Sequence, residues 1–290
     1  MPTIEALTTY FTSFFPLSVM GTVILSEIVS ALIFLKSQSS KKRSNALTVM
    51  FGSSVFLWLF IAISILMCYF LSHDIEYNMT VVKTVAGASF SIGLIIAAPS
   101  SIILKNRAPK RLLQNIKGSQ PIFGDIAQKF QTVKRVMGIK KAELLQLDSK
   151  SPTCIAVGGE RNVILISKSL LRLLNTDELD AIFAHELAHI VHGDLMIKAL
   201  MGIYRMIIPF DPLIRFVEGA MHRERELMAD EAAVNITEKP MSLASALIKI
   251  HEASPVSNSS QPGLFATGNG FFKKNPSLEK RVKQLLTMTS

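Results

Sequence analysis

Three long apolar runs, 17–35, 46–71 and 81–104, dominate the first third of the 290-residue chain and alternate with short polar stretches. Each reaches the ~20 residues that a helix needs to cross a bilayer core. Beyond residue 118 the texture changes. Ile122, Ile126, Phe130, Val133 and Met137 recur at three- and four-residue spacing, which predicts an amphipathic helix closed by Gly138. Residues 142–148 and 153–167 read as short strands, the second folded on itself at Gly158-Gly159-Glu160 like a hairpin. A short helix over 168–174 follows. Asn175 then caps a helix over about 176–192, with Glu178 completing a capping box and Gly193 as the stop.

Composition sharpens the membrane reading. Hydrophobic residues make up 49% of the chain and charged residues 18%, against about 25% charged in an ordinary soluble domain. The net charge of +9 sits largely beside the apolar runs. Lys36, Lys41, Lys42 and Arg43 follow the first run, and Lys105, Arg107, Lys110, Arg111 and Lys117 follow the third. The loop over 72–80 carries Asp74 and Glu76 and no Lys or Arg. The positive-inside rule then puts the N-terminus outside and everything after residue 104 in the cytoplasm. Such clusters report orientation and contact with acidic headgroups, and no nucleic-acid motif accompanies them. Cys68 and Cys154 form no disulfide framework. The first run lacks the basic n-region of a cleaved signal peptide. Glu27 lies mid-span with no partner evident, either lining a polar path or hydrogen-bonded to a neighbouring helix. Lys83 is expected to snorkel, and Phe11, Phe14 and Phe15 to sit in an interfacial aromatic belt.

The helix over 176–192 is apolar almost all round, which marks it as buried, yet it carries His185-Glu186-Leu187-Ala188-His189. Buried polar groups need partners or a metal. Positions i and i+4 lie about 40° apart and about 6 Å along the axis, so both imidazoles can converge on one Zn²⁺. Glu186 flanks the metal and is placed to take a proton from the attacking water. The bland alternative is a pair of surface histidines, which the apolar surroundings disfavour. His192 shares the face but lies about 10.5 Å along the axis from His185, beyond the reach of one ion. It reads as a C-terminal residue interacting with the helix dipole. The third ligand is sought in Arg223-Glu224-Arg225-Glu226-Leu227-Met228-Ala229-Asp230. There Glu226 would bind the metal and Asp230 would accept the free N–H of a ligating histidine. A solvated acidic pair is the alternative for Glu226 and Asp230. Cys154 reads as a small strand hydrophobe in preference to a thiolate capping the metal.

These motifs resemble the gluzincin membrane peptidases, above all the HtpX heat-shock protease and CAAX-prenyl-endopeptidase family. HELAHIVHGD is similar to that family's zinc helix with the Gly-Asp after it. RERELMAD is similar to its glutamate helix, TCIAVGGERNVILIS to its strand pair, and NPSLEKRVKQL to its Pro-x-x-x-x-Arg closing helix. The resemblance implies zinc ligation by His185, His189 and Glu226, a general base at Glu186, and a strand near Cys154–Gly158 that aligns substrate by β-augmentation. Arg223 matches a family position near the site, and His222 stands where serine is expected. That leaves His222, Arg223 and Tyr204 as candidates for oxyanion or substrate contact. The 195–225 spacing before Glu226 is shorter than in HtpX and looks more like the peptidase domain of the β-lactam sensor-transducers. Those proteins carry an extracellular sensor domain, and none is expected in these residues.

The same spacing argues against a further span. One crossing by 195–210 would strand Glu226 across the bilayer from His185, and two would need about 40 residues. That segment is expected to be a buried or membrane-surface helix. The expected architecture is thus an α-helical membrane anchor over 1–117 plus an α+β zincin-like metallopeptidase domain over 118–290, mostly helical with a small β-sheet. The expected activity is zinc-dependent hydrolysis of membrane or membrane-proximal proteins, with protein quality control as its role. A signalling peptidase cleaving one regulator, and a non-catalytic scaffold stabilised by zinc, are the alternatives. Expected partners are peptide or protein substrates and the lipid bilayer, with no nucleic acid. Residues 254–276, rich in Ser, Gly and Asn, are either a flap or a plain loop.

Overall fold

The apolar runs form helices whose outer faces have no protein cover. In the computed structural model, which describes residues 2–71, 81–92, 119–157, 162–253 and 278–288, α1 (Pro2–Phe11), α2 (Phe14–Lys36) and α3 (Ser40–Leu71) precede α4 (Val81–Ile92). The 72–80 loop, residues 93–118 with the second basic cluster, the 158–161 turn and residues 254–276 lie outside the described residues. Helices α2 and α3 are long and apolar enough to cross a membrane. Ile24, Leu25, Ile28 and Leu32 of α2 are exposed, an apolar surface that water would not tolerate and lipid would cover.

Contacts divide the chain into two compact units, 1–103 with 202–221, and 104–201 with 222–290. The sequence boundary near residue 118 did not anticipate that 202–221 joins the N-terminal helices. The reason lies in side chains. Helix α8 (Asp194–Ile207) has 14 residues, about 21 Å of rise against about 30 Å of bilayer core. After it, Asp211 caps α9 (Pro212–Thr237) by accepting from Leu213 N at 2.8 Å and Ile214 N at 3.3 Å. Its other oxygen accepts from Ser54 Oγ and Trp58 Nε1 of α3, each at 2.8 Å. Tyr204 stands edge-on to Phe51, and Phe210 to Trp58. Glu27 also has a partner, Ser53 Oγ on α3 at 3.5 Å, so the hydrogen-bonded reading of that carboxyl fits. Lys83 Nζ lies 5.4 Å from the Phe15 ring centroid, a cation–π contact.

The C-terminal unit holds a four-stranded mixed sheet in the order β1-β2-β4-β3. Its strands are β1 (Gln120–Pro121), β2 (Glu143–Leu147), β3 (Cys154–Val157) and β4 (Val163–Ser167). β3 and β4 form the expected antiparallel hairpin pair, while β2 runs parallel to β4. Helices α5 (Asp125–Val136), α6 (Lys168–Leu173), α7 (Thr176–Val191), α10 (Pro240–Ala253) and α11 (Leu278–Thr287) belong to the unit, with residues 194–201 of α8 and 222–237 of α9. α7 packs against α5, α10 and β3. Its apolar residues Ala181, Ile182, Phe183, Ala184 and Leu187 are therefore core, with Phe183 edge-on to Phe130. The capping box forms as expected. Glu178 is buried there and also binds Lys249 and Ser245 of α10, fixing the start of the helix that carries the site.

Candidate metal centre

Burial of α7 on most of its circumference leaves His185 and His189 one turn apart on the face turned toward α9. Their Nε2 atoms lie 3.2 Å apart. Glu226 of α9 comes between them, with Oε2 3.6 Å from His185 Nε2 and Oε1 3.6 Å from His189 Nε2. Ligand atoms 2.0–2.1 Å from a tetrahedral centre lie about 3.3–3.4 Å from one another. The three groups therefore fit a single small cation with room for a further ligand. The other imidazole nitrogens face carboxylates. His189 Nδ1 is 2.6 Å from Asp194 Oδ2. His185 Nδ1 is 3.0 Å from Asp230 Oδ1, a close ionic contact short of full hydrogen-bond geometry. An arginine stands behind each carboxylate. Arg281 Nε and Nη2 donate to the two oxygens of Asp230 at 2.7 and 2.6 Å, and Arg225 pairs with Asp194.

The electrostatics are those of a cation-binding site. Burial works to lower the basicity of His185, but the carboxylates of Asp230 and Glu226 prevail and raise its pKa to about 9. Burial likewise opposes ionisation of Glu226, yet both imidazoles and Arg281 hold it well below the usual carboxylate range. His185 and Arg281 hold Asp230 down in the same way. Carboxylates that strengthen an imidazole's hold on a proton also strengthen its hold on a metal, since both compete for one lone pair. Strongly shifted groups converging this way mark a functional site. Glu186, on the adjacent side of α7, turns toward the sheet, where its Oε2 accepts the N–H of Ala156 at 2.9 Å. Ala156 belongs to β3, the end strand of the sheet.

A sequence profile described as BlaR1 peptidase M56 matches residues 90–285, more than half of the chain. The chain belongs to this peptidase family. Its curated relatives include protease HtpX homologs. That of Pyrococcus furiosus is 29% identical over 199 residues, 51% of this chain and 68% of the relative. That of Pyrococcus abyssi is 30% identical over 158 residues, 42% and 55%, and that of Dictyoglomus turgidum 28% over 207 residues, 52% and 65%. The chain thus spans between about half and two thirds of the length of these relatives. The crystal structure of S. mikatae Ste24p aligns at TM-score 0.43 and 12% identity over 98% of this chain and 99% of that one, a likeness too slight to carry an argument. The BlaR1 profile and the HtpX relatives correspond to the two likenesses read from the motifs.

In this BlaR1-family chain the structure brings His185, His189 and Glu226 together, with Asp230 behind His185 and Glu186 beside the group. His222 and Arg223 are half-buried on α9 a turn before Glu226. The cations nearest the Glu226 carboxylate come instead from Lys198, at 4.0 Å, and Arg281, at 3.4 Å. Tyr204 falls in the N-terminal unit. His192 is the C-cap of α7. Burial and the nearby Glu186 push the Cys154 thiol well above its ordinary value, and the half-buried side chain packs against the core. Sequence reasoning missed Asp194, Arg225 and Arg281. The Gly-Asp after α7 and the Pro-x-x-x-x-Arg motif contained two of them without revealing what they touch.

Proposed function

We propose that this chain is a membrane-bound, zinc-dependent endopeptidase acting on membrane or membrane-proximal proteins. The observation that carries the reading is the meeting of two imidazoles and the Glu226 carboxylate at tetrahedral-edge spacing, with Glu186 alongside. A bound zinc ion supplies Lewis acidity to the scissile carbonyl and to the attacking water. The protein's own groups do the rest. Glu186 takes a proton from the water and returns it to the leaving amine. An extended substrate pairing along β3 would take the Ala156 N–H now held by Glu186, aligning the peptide while releasing the carboxylate toward the water. Anchoring through three spans, with the N-terminus outside and the peptidase unit in the cytoplasm, restricts substrates to those near the membrane and raises their effective concentration.

Quality control is the reading favoured by the HtpX relatives. Cleavage of a single regulator is favoured by the short spacing between His189 and Glu226 and by the BlaR1 profile. Casein cleavage by the detergent-purified full chain tests the activity. The account expects cleavage that chelator abolishes, zinc restores and Glu186→Gln eliminates. Cleavage that survives chelator would refute it. Several unfolded proteins cut at many places would favour quality control, and a single cut in a single protein would favour signalling.

A further inference from the structure

Behind His189 lies a buried pair that the sequence did not disclose. α7 ends at His192, and Gly193 reverses the chain with φ +67, a left-handed conformation that glycine adopts without strain. This turn brings Asp194, the first residue of α8, back against His189. Asp194 is 1% exposed and Arg225 7%, so neither charge is stabilised by water. Asp194 divides its two oxygens, Oδ2 to His189 Nδ1 at 2.6 Å and Oδ1 to Arg225. The same Nη1 of Arg225 donates to the His192 carbonyl at 3.1 Å. Arg225 immediately precedes Glu226, so this one guanidinium ties the end of α7 and the start of α8 to the helix that carries the third ligand.

We propose that Asp194 and Arg225 are positioning residues for the metal centre: Arg225 orients Asp194, and Asp194 keeps the His189 proton on Nδ1 so that the Nε2 lone pair stays open to the metal. The inference rests on the zinc reading of His185, His189 and Glu226. Carboxylates behind ligating histidines fix the tautomer and ring orientation in this way. Here the carboxylate is itself oriented by an arginine beside the third ligand, so one contact serves two of the three ligands.

Asp194→Asn is the discriminating variant. An amide of the same shape has one acceptor oxygen, while Arg225 and His189 both need one. If the oxygen turns to Arg225, the amide N–H₂ faces Nδ1 and drives the imidazole proton to Nε2, onto the metal side. The measurement is Zn²⁺ affinity of the detergent-purified full chain by competition titration, together with the visible spectrum of the Co²⁺-loaded protein. Asp194→Asn should weaken Zn²⁺ binding by about 10- to 100-fold and alter the Co²⁺ bands. Arg225→Lys keeps a charge for Asp194 on a shorter side chain without the planar guanidinium fork, and should lose less than Asp194→Asn, about 10-fold at most. A pair that only stabilised the fold would lower the melting temperature and leave affinity and spectrum unchanged. Wild-type affinity and spectrum in Asp194→Asn would overturn the proposal. If that variant does not fold, Arg225→Lys decides alone, and wild-type affinity there overturns it. A wild-type chain that binds no Zn²⁺ would sink the metal-centre reading itself, a result distinct from either.

Discussion

Replacing Arg281 by methionine removes the most heavily bonded cation of the site while keeping an unbranched apolar stem. The side chain is 13% exposed, donates two hydrogen bonds to Asp230 and lies 3.4 Å from Glu226. Without it, a fully buried Asp230 keeps only the His185 imidazole, and a largely buried Glu226 keeps the two imidazoles and Lys198 at 4.0 Å. Removing one member of a buried pair costs about 3–5 kcal/mol, because the orphaned charge stays buried. In a unit of this size each kcal/mol moves the melting temperature by about 2–4 °C, so a drop of about 10 °C is expected in chelator. With zinc bound, the ion supplies positive charge to Glu226, and the remaining loss is that of the hydrogen bonds, about 1–2 kcal/mol. Calorimetry or circular dichroism on the full chain is the assay. Tryptophan fluorescence is unsuitable, since Trp58 lies in the other unit. A variant melting within about 2 °C of wild type in chelator would refute the reasoning.

The raised pKa of His185 also fixes a pH dependence. In chelator its contribution to stability is complete below the ordinary value of 6.5 and is lost as pH rises through about 9. Zinc affinity should rise over the same interval as the competing proton leaves, and thermal melts with and without zinc across that range check both. Glu178→Gln removes the charge that meets Lys249 and weakens the cap of α7, at a cost of about 2 kcal/mol near neutral pH. Burial works against ionisation of Glu178, but Lys249, Ser245 and the Asn175 N–H hold its carboxyl below the ordinary value of 4.5. The contribution is therefore present above that value and lost as pH falls, and variant and wild-type melts should converge in acid.

The sequence disclosed what is periodic or local. The spacing of Ile126, Phe130 and Val133 disclosed α5, the Asn175–Glu178 box the start of α7, and the i, i+4 pairs 185/189 and 226/230 two faces of the site. Partners chosen by tertiary packing stayed hidden. Arg225 reads as one more charge in an alternating run, and only burial against Asp194 sets it apart from Arg223. Arg281 lies 51 residues from Asp230, and no local pattern joins them. No local pattern singles out Asp211, yet its bonds to Ser54 and Trp58 tie 202–221 to the N-terminal helices. The parallel pairing of β2 with β4 was likewise invisible, because register depends on which strands meet and not on their individual patterns.

Metal content measured by mass spectrometry on the purified full chain bears most directly on the claim that His185, His189 and Glu226 share one ion. After dialysis against trace zinc, wild type and Glu186→Gln should each hold about one zinc per chain, while His189→Ala and Glu226→Ala should hold almost none. Full zinc occupancy in Glu226→Ala, or a zinc-free wild type, would contradict the account.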